Sequence, residues 1–276
     1  MVPNGSLINC VIAMLTFVLL PPALALVFWR RNKGAKTLSA WLLGAAGFFV
    51  TQMLIRVPIL TVLQTNPAFQ SFSVNHGFLY AFTLAFTAGL FELAGRFCVA
   101  KLMKNNLTFH RSFAAGLGHG GIEAMLLLGL TYLNNILYIV MINTGVFDGI
   151  VDQAALTGID VSALWQVKDA LLTTPPALYL VAIYERILAM VCHLAMTLIV
   201  SFGIHADKPL KGALICLGIH TMMDLTAGIN MLAGTILTQT AAYLIIYSIL
   251  TITAIVSVLI IRNIRSRWLE KEVTHV

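Results

Sequence analysis

Apolar residues fill the chain in seven long runs, separated by short polar and basic clusters. The runs extend approximately over Leu7 to Trp29, Leu38 to Leu60, Phe78 to Ala100, Ser112 to Val140, Pro176 to Phe202, Gly212 to Leu232 and Thr240 to Ile261. A helix needs roughly 20 such residues to cross the hydrocarbon core of a bilayer. The pattern therefore predicts an all-α, polytopic transmembrane helix bundle. The second run contains Arg56 and Pro58, which predicts a bend or an early end. The fourth is long enough to tilt or to project from the membrane. The connection from Met141 to Pro175 is the longest, and mild amphipathic spacing predicts a short helix over Val161 to Leu172. No linker, low-complexity tract or internal repeat divides the chain, so residues 1–276 read as a single integral membrane domain.

Composition agrees. The chain is 59% apolar and 10% charged, against about 25% charged residues in a soluble domain. A net charge of +6 does not point to nucleic acid, because the basic residues sit between the apolar runs. Arg30, Arg31, Lys33 and Lys36 follow the first run, and Lys101, Lys104 and Arg111 follow the third. Lys208 and Lys211 follow the fifth, and Arg262, Arg265, Arg267 and Lys271 follow the seventh. The intervening connections hold only Lys168, and the longest carries Asp148, Asp152, Asp160 and Asp169. Cytoplasmic loops carry the Lys/Arg excess, which places the N-terminus outside and the C-terminus in the cytoplasm of a multi-pass cell-membrane protein, as in a bacterial plasma membrane. Cys10, Cys98, Cys192 and Cys216 all lie in apolar stretches without C-x-x-C spacing and read as packing residues. Leu7-Ile8-Asn9-Cys10 faintly resembles a lipoprotein signal, but it lacks a preceding apolar core and a basic start, so no cleaved signal peptide is expected.

A further set of charges lies inside the runs: Arg56, Arg96, Arg186, Glu92, Glu123, Glu185 and Asp224, joined by His119, His193 and His220. A charge at mid-bilayer costs about 2.5–3.5 kcal/mol on insertion scales, so such residues face the bundle interior and mark function. Glu92 and Arg96, His119 and Glu123, and His220 and Asp224 are each four apart, and Glu185 and His193 are eight apart. Each pair therefore shares a helix face. Counted from the basic ends of their runs, Glu92, His119, His193 and His220 all lie roughly 10–14 Å deep at 1.5 Å per residue. Runs three to six thus place their polar stripes at one level, as a single site between them requires. Gly116, Gly118, Gly120 and Gly121 surround His119, which predicts close backbone approach or local unwinding there. Taken singly, each of these residues also fits ordinary helix packing. Glu92 and Arg96 read equally well as a structural ion pair, with Arg56 and Arg186 as charge partners.

The stretch Gly116-Leu117-Gly118-His119-Gly120-Gly121-Ile122-Glu123-Ala124 resembles the signature of the YhfC family of bacterial intramembrane proteases. That family is grouped with the type II CAAX prenyl endopeptidases and bacteriocin-processing enzymes, a superfamily that also includes the APH scaffold subunit of γ-secretase. Its first motif, E-E-x-x-x-R, resembles Phe91-Glu92-Leu93-Ala94-Gly95-Arg96, with Phe91 in place of the first glutamate. That glutamate is usually assigned to water activation; Glu123, one turn from His119, is the carboxylate able to replace it. The H-x-x-x-N/D motif resembles His220-Thr221-Met222-Met223-Asp224, and Glu185 with His193 resembles the motif particular to the YhfC branch. The resemblance implies a catalytic set of Glu92, Arg96, His119, Glu123, Glu185, His193, His220 and Asp224, and a membrane protein or peptide as substrate.

Peptide hydrolysis needs an activated water, an oxyanion stabiliser and a proton donor. The buried set offers glutamates as base and histidines as donors. Alternatively, His119, His193 and His220 hold zinc with a position open to water, although there is no H-E-x-x-H. A proton-coupled transporter, a non-catalytic scaffold and a prenyl-protein processing enzyme remain as further readings. The topology has a direct test. With the native cysteines replaced, Gly34→Cys should resist an impermeant thiol reagent in intact cells and react after permeabilisation. Labelling from outside would overturn the orientation.

Overall fold

The computed structural model describes residues 1–231 and 237–274. Among them the secondary-structure elements are all helices, and seven are long and apolar enough to cross a membrane. These are α1 (Asn4–Arg31), α2 (Thr37–Gln64), α3 (Gly77–Leu102), α4 (Phe109–Asn143), α5 (Leu178–His205), α6 (Pro209–Ile229) and α7 (Gln239–Trp268). The protein is an all-α membrane protein. Large apolar side chains such as Leu19, Val62, Phe78, Leu214 and Leu244 are exposed, as lipid-facing residues should be.

Three details depart from the sequence expectation. First, α2 does not stop at Arg56 and Pro58. It widens into a π-helical segment over Phe49–Arg56 and continues as Val57–Gln64. The Val57 N–H reaches back five residues to the Gln52 carbonyl, so Pro58 enters at a helix start, where its missing N–H costs little. Second, the long connection holds two helices, Val146–Leu156 and Ser162–Thr173. A further helix, Pro67–Asn75, is capped by the Asn66 side chain, which accepts from the Ala68 and Phe69 N–H groups. Third, α6 is interrupted at Leu225 between Pro209–Asp224 and Thr226–Met231. The expected end of that run, Leu232, lies outside the described residues.

The chain groups into two compact units, Met1–Pro22 with Ala124–Ile187 and Ala23–Glu123 with Leu188–Val276. The divisions fall inside helices, beside Pro22 in α1 and at the start of a second π segment, Ala124–Gly129, in α4. No linker composition accompanies them. In the first unit Cys10, Ala13, Phe17, Tyr132, Ile139, Leu171 and Tyr179 form the core. The Tyr132 hydroxyl donates to the Tyr179 carbonyl at 3.0 Å, and the amide of Asn143 exchanges two hydrogen bonds with the Val2 backbone.

In the second unit α5 is buried without a break from Cys192 to Ser201. A helix covered on all sides belongs at the centre of a bundle. Met196, Val200, Cys216, Met223 and Leu250 pack together around it. On the other side α2 and α4 cross at backbone contact. A Cβ on Gly118 would lie 1.9 Å from the Trp41 carbonyl oxygen, and one on Gly44 equally close to that of Ala115. The glycines around His119 thus serve close approach rather than unwinding, since Phe109–Glu123 is regular α-helix. Gly118→Ala should therefore destabilise the fold by ~1–3 kcal/mol, as overpacking does. Gly218→Ala, which meets nothing within 4 Å, should not. Detergent-solubilised protein unfolded with dodecyl sulfate and followed by circular dichroism would separate the two.

Candidate functional site

Among the described residues, the second unit collects its buried charged residues and histidines at one point. From α3 come Glu92 and Arg96, one turn apart. From α4 come His119 and Glu123, with the same spacing, and α5 supplies His193. From α6 come His220 and Asp224, and from the π segment of α2 comes Gln52. Small residues on the facing helices make room for the rings. A Cβ on Gly120 would come within 2.9 Å of the His193 Cβ, and one on Gly89 within 3.3 Å of the His220 side chain.

Glu92 is the hub. Its Oε2 lies 2.9 Å from His119 Nε2 and 3.0 Å from Arg96 Nη2. His220 Nδ1 approaches the same oxygen at 3.5 Å and His193 Nδ1 at 3.6 Å. Oε1 accepts from Gln52 Nε2 at 2.7 Å. Glu92, Arg96, His119, His193 and His220 are all at most 3% exposed. Phe48 stands edge-on to the His119 ring and excludes water on that side.

The guanidinium fixes one tautomer. Arginine has no acceptor, so the 2.7 Å contact of Arg96 Nη2 with His193 Nδ1 must be a donation to the ring. The His193 proton then sits on Nε2, which lies 2.8 Å from Glu123 Oε2. His220 is turned the opposite way. Its Nε2 pairs with Asp224 Oδ2 at 3.1 Å, leaving Nδ1 buried, without a hydrogen-bond partner, facing Glu92. Asp224, with a side chain 40% exposed, is the outermost member.

Seven of the eight site residues expected from the sequence thus meet through direct contacts. The eighth, Glu185, is half-buried on α5 in the other unit, and the cluster is built from residues of the second unit alone. Gln52 was not singled out in the sequence. Its signal was a polar residue in a span, four before Arg56, and the two side chains do bond at 3.3 Å. Arg56 acts as support, donating from Nη2 to the Leu84 carbonyl at 2.7 Å.

The group close enough to hold a metal ion also differs from the three histidines. The group whose ligand atoms all lie within 4.8 Å of one another is Glu92, His119 and His193. His220 lies outside that group, although its Nδ1 is 3.5 Å from Glu92 Oε2. The donor chemistry suits a divalent cation. Bonds of about 2.0–2.2 Å to N and O ligands put tetrahedral ligand atoms roughly 3.4 Å apart, and within the group Glu92 Oε2 lies 2.9 Å from His119 Nε2 and 3.6 Å from His193 Nδ1. The unpartnered His220 Nδ1 faces the same carboxylate. One lone pair cannot serve twice, so a cation on His193 Nδ1 requires Arg96 to withdraw from it.

The family model described as YhfC intramembrane metalloprotease matches residues 16–246. The chain is 31% identical over 189 residues to the "Uncharacterized membrane protein YhfC" of Bacillus subtilis (strain 168), an alignment covering 68% of this chain and 71% of that protein. No solved structure matches. Because Gln52 donates to a carboxylate buried from water, Gln52→Leu should cost ~1–3 kcal/mol of stability, the penalty of an unsatisfied buried group. Gln52→Asn is too short to rescue it. Equilibrium unfolding in mixed micelles measures both.

Proposed function

The chain belongs to the YhfC intramembrane metalloprotease family, and on that premise we propose that it hydrolyses a peptide bond of a membrane protein or peptide, within or beside the bilayer. One observation carries the reading: a buried carboxylate ringed by three imidazoles and a guanidinium from four helices. Residues this expensive to bury in a membrane are retained for chemistry.

The roles follow from the contacts. Glu92 accepts from Gln52 and Arg96 and contacts His119 Nε2, which engages both of its oxygens without exhausting their lone pairs, so it acts as charge hub and ligand rather than as the base. Glu123 is the general base: it takes a proton from the attacking water and returns it to the leaving nitrogen as the C–N bond breaks. Asp224 orients His220 through Nε2, and Nδ1 offers a buried position for a proton beside Glu92. Glu92, His119 and His193 are the residues that would hold a zinc ion, which when bound supplies Lewis acidity for carbonyl and water. By the depth of the cluster, substrate enters from the half of the membrane that carries the basic loops.

A second reading has its own support. Asp224, His220, Glu92, His193 and Glu123 follow one another at 2.8–3.6 Å, a chain of titratable groups of the kind that relays protons in transporters.

Cleavage of transmembrane peptide substrates by the purified protein tests the proposal. Glu123→Gln should keep the fold and lower turnover ~10²–10⁴-fold, since an amide cannot take the proton, and His119→Ala should act similarly. Stripping with a chelator should abolish turnover and added Zn²⁺ restore it; a metal-free glutamate mechanism would not respond. A well-folded protein that cleaves nothing, but whose proton flux in liposomes depends on Glu92 and Glu123, would establish the relay instead.

A further inference from the structure

Outside the Glu92 cluster, the second unit holds a cavity of about 630 Å³ where the C-terminal ends of α5 and α7 meet the N-terminal end of α6. Its volume falls within the ~300–1,000 Å³ range of ligand sites. It shares no residue with the cluster. Its wall is divided by chemistry along the helix axes. The part inside the spans is aliphatic, made by Ile199, Ile215, Ile260 and Ile264. The rim at the span ends carries Lys208, Lys211 and Arg267, all exposed, against one acid, Glu270. Glu270 accepts from Ser266 on its own helix at 3.2 Å.

The surroundings hold this shape. Gly203 and Gly212 let α5 and α6 touch at the cavity edge, where a Cβ on Gly212 would lie 2.8 Å from the Ile199 carbonyl oxygen. The turn into α6 is locked by Ala206 N–H to Phe202 O at 2.8 Å and Lys208 N–H to Gly203 O at 2.7 Å, with Asp207 left-handed at φ 55°. Lys208 is thereby set at the rim. Beneath, Trp268 is fully buried and stacks on His205 at 4.7 Å.

We propose that this cavity binds one anionic phospholipid, its phosphate at the Lys208, Lys211 and Arg267 rim and its acyl chain against the isoleucines. A free anion would satisfy the rim and leave the aliphatic wall without a partner. A neutral lipid would satisfy the wall and leave the rim's net positive charge, three cations against one acid, unanswered. Basic pockets between spanning helices at the cytoplasmic face take anionic headgroups for this reason, and the charge distribution assigns this end to the cytoplasm.

The test uses the full chain in a nonionic detergent, titrated with dioleoylphosphatidylglycerol and read by native mass spectrometry. One molecule should be retained per chain under activation that strips dioleoylphosphatidylcholine. Lys211→Gln and Arg267→Gln should each weaken retention about fivefold, the effect of one basic side chain at an anionic surface. Ala206→Trp should block it by filling the cavity; if that variant does not fold, the two charge variants decide. Equal retention of the two lipids, displacement by inorganic phosphate alone, or unchanged affinity in both charge variants would overturn the proposal.

Discussion

A carboxylate placed inside a lipid bilayer must be compensated where it stands, and Glu92 is the residue around which the second unit is arranged. Desolvating such a charge costs several kcal/mol even after relaxation. The return comes from Gln52 on one oxygen and from Arg96 and His119 on the other, with His193 and His220 at slightly longer range. Those partners come from α2, α3, α4, α5 and α6, so one side chain fixes the register of five helices. Removal of a single partner leaves part of a buried charge uncompensated, which is why such networks act as units rather than as sums of pairs.

Electrostatics alone would not bring five backbones close enough. Between membrane helices there is little hydrophobic drive, and association depends on fit and on small residues at the contacts. The contacts at Gly44, Gly118 and Gly120 leave no room for a Cβ. Two of them join α2 to α4 and one admits the His193 ring. The glycine-rich stretch beside His119 is therefore the packing condition for the cluster. The long, fully buried segment of α5 supplies the other condition, a central helix against which the polar stripes of its neighbours can face inward.

Much of this was readable in the sequence. The seven runs correspond to seven helices because hydrocarbon admits few other backbone solutions. The i, i+4 spacing of Glu92 with Arg96, His119 with Glu123 and His220 with Asp224 put each pair on one face, and the equal depth brought the faces together. Pro58 misled, because a proline signals an end only if the helix before it is regular, and a π segment absorbs it. Gln52 passed unnoticed since a lone amide in an apolar run carries no charge to explain. That the close group beside His119 and His193 includes Glu92 and not His220 depends on side-chain placement, which spacing does not encode. The two units were invisible for another reason: their boundaries lie within continuous helices rather than in polar connections.

The π segment of α2 carries a consequence for how this protein can vary. A π turn is one residue inserted into an α-helix, and each residue advances the helix phase by about 100°. Before it, Gly44 must face the Ala115 backbone; within it, Gln52 and Arg56 must face α3. Both demands are met only with that extra residue in place. The chain length between Gly47 and Val57 is therefore quantised. Loss or gain of one residue there would leave the hydropathy of the span unchanged and turn half of its polar contacts toward lipid, whereas the same change in a polar connection would go unnoticed.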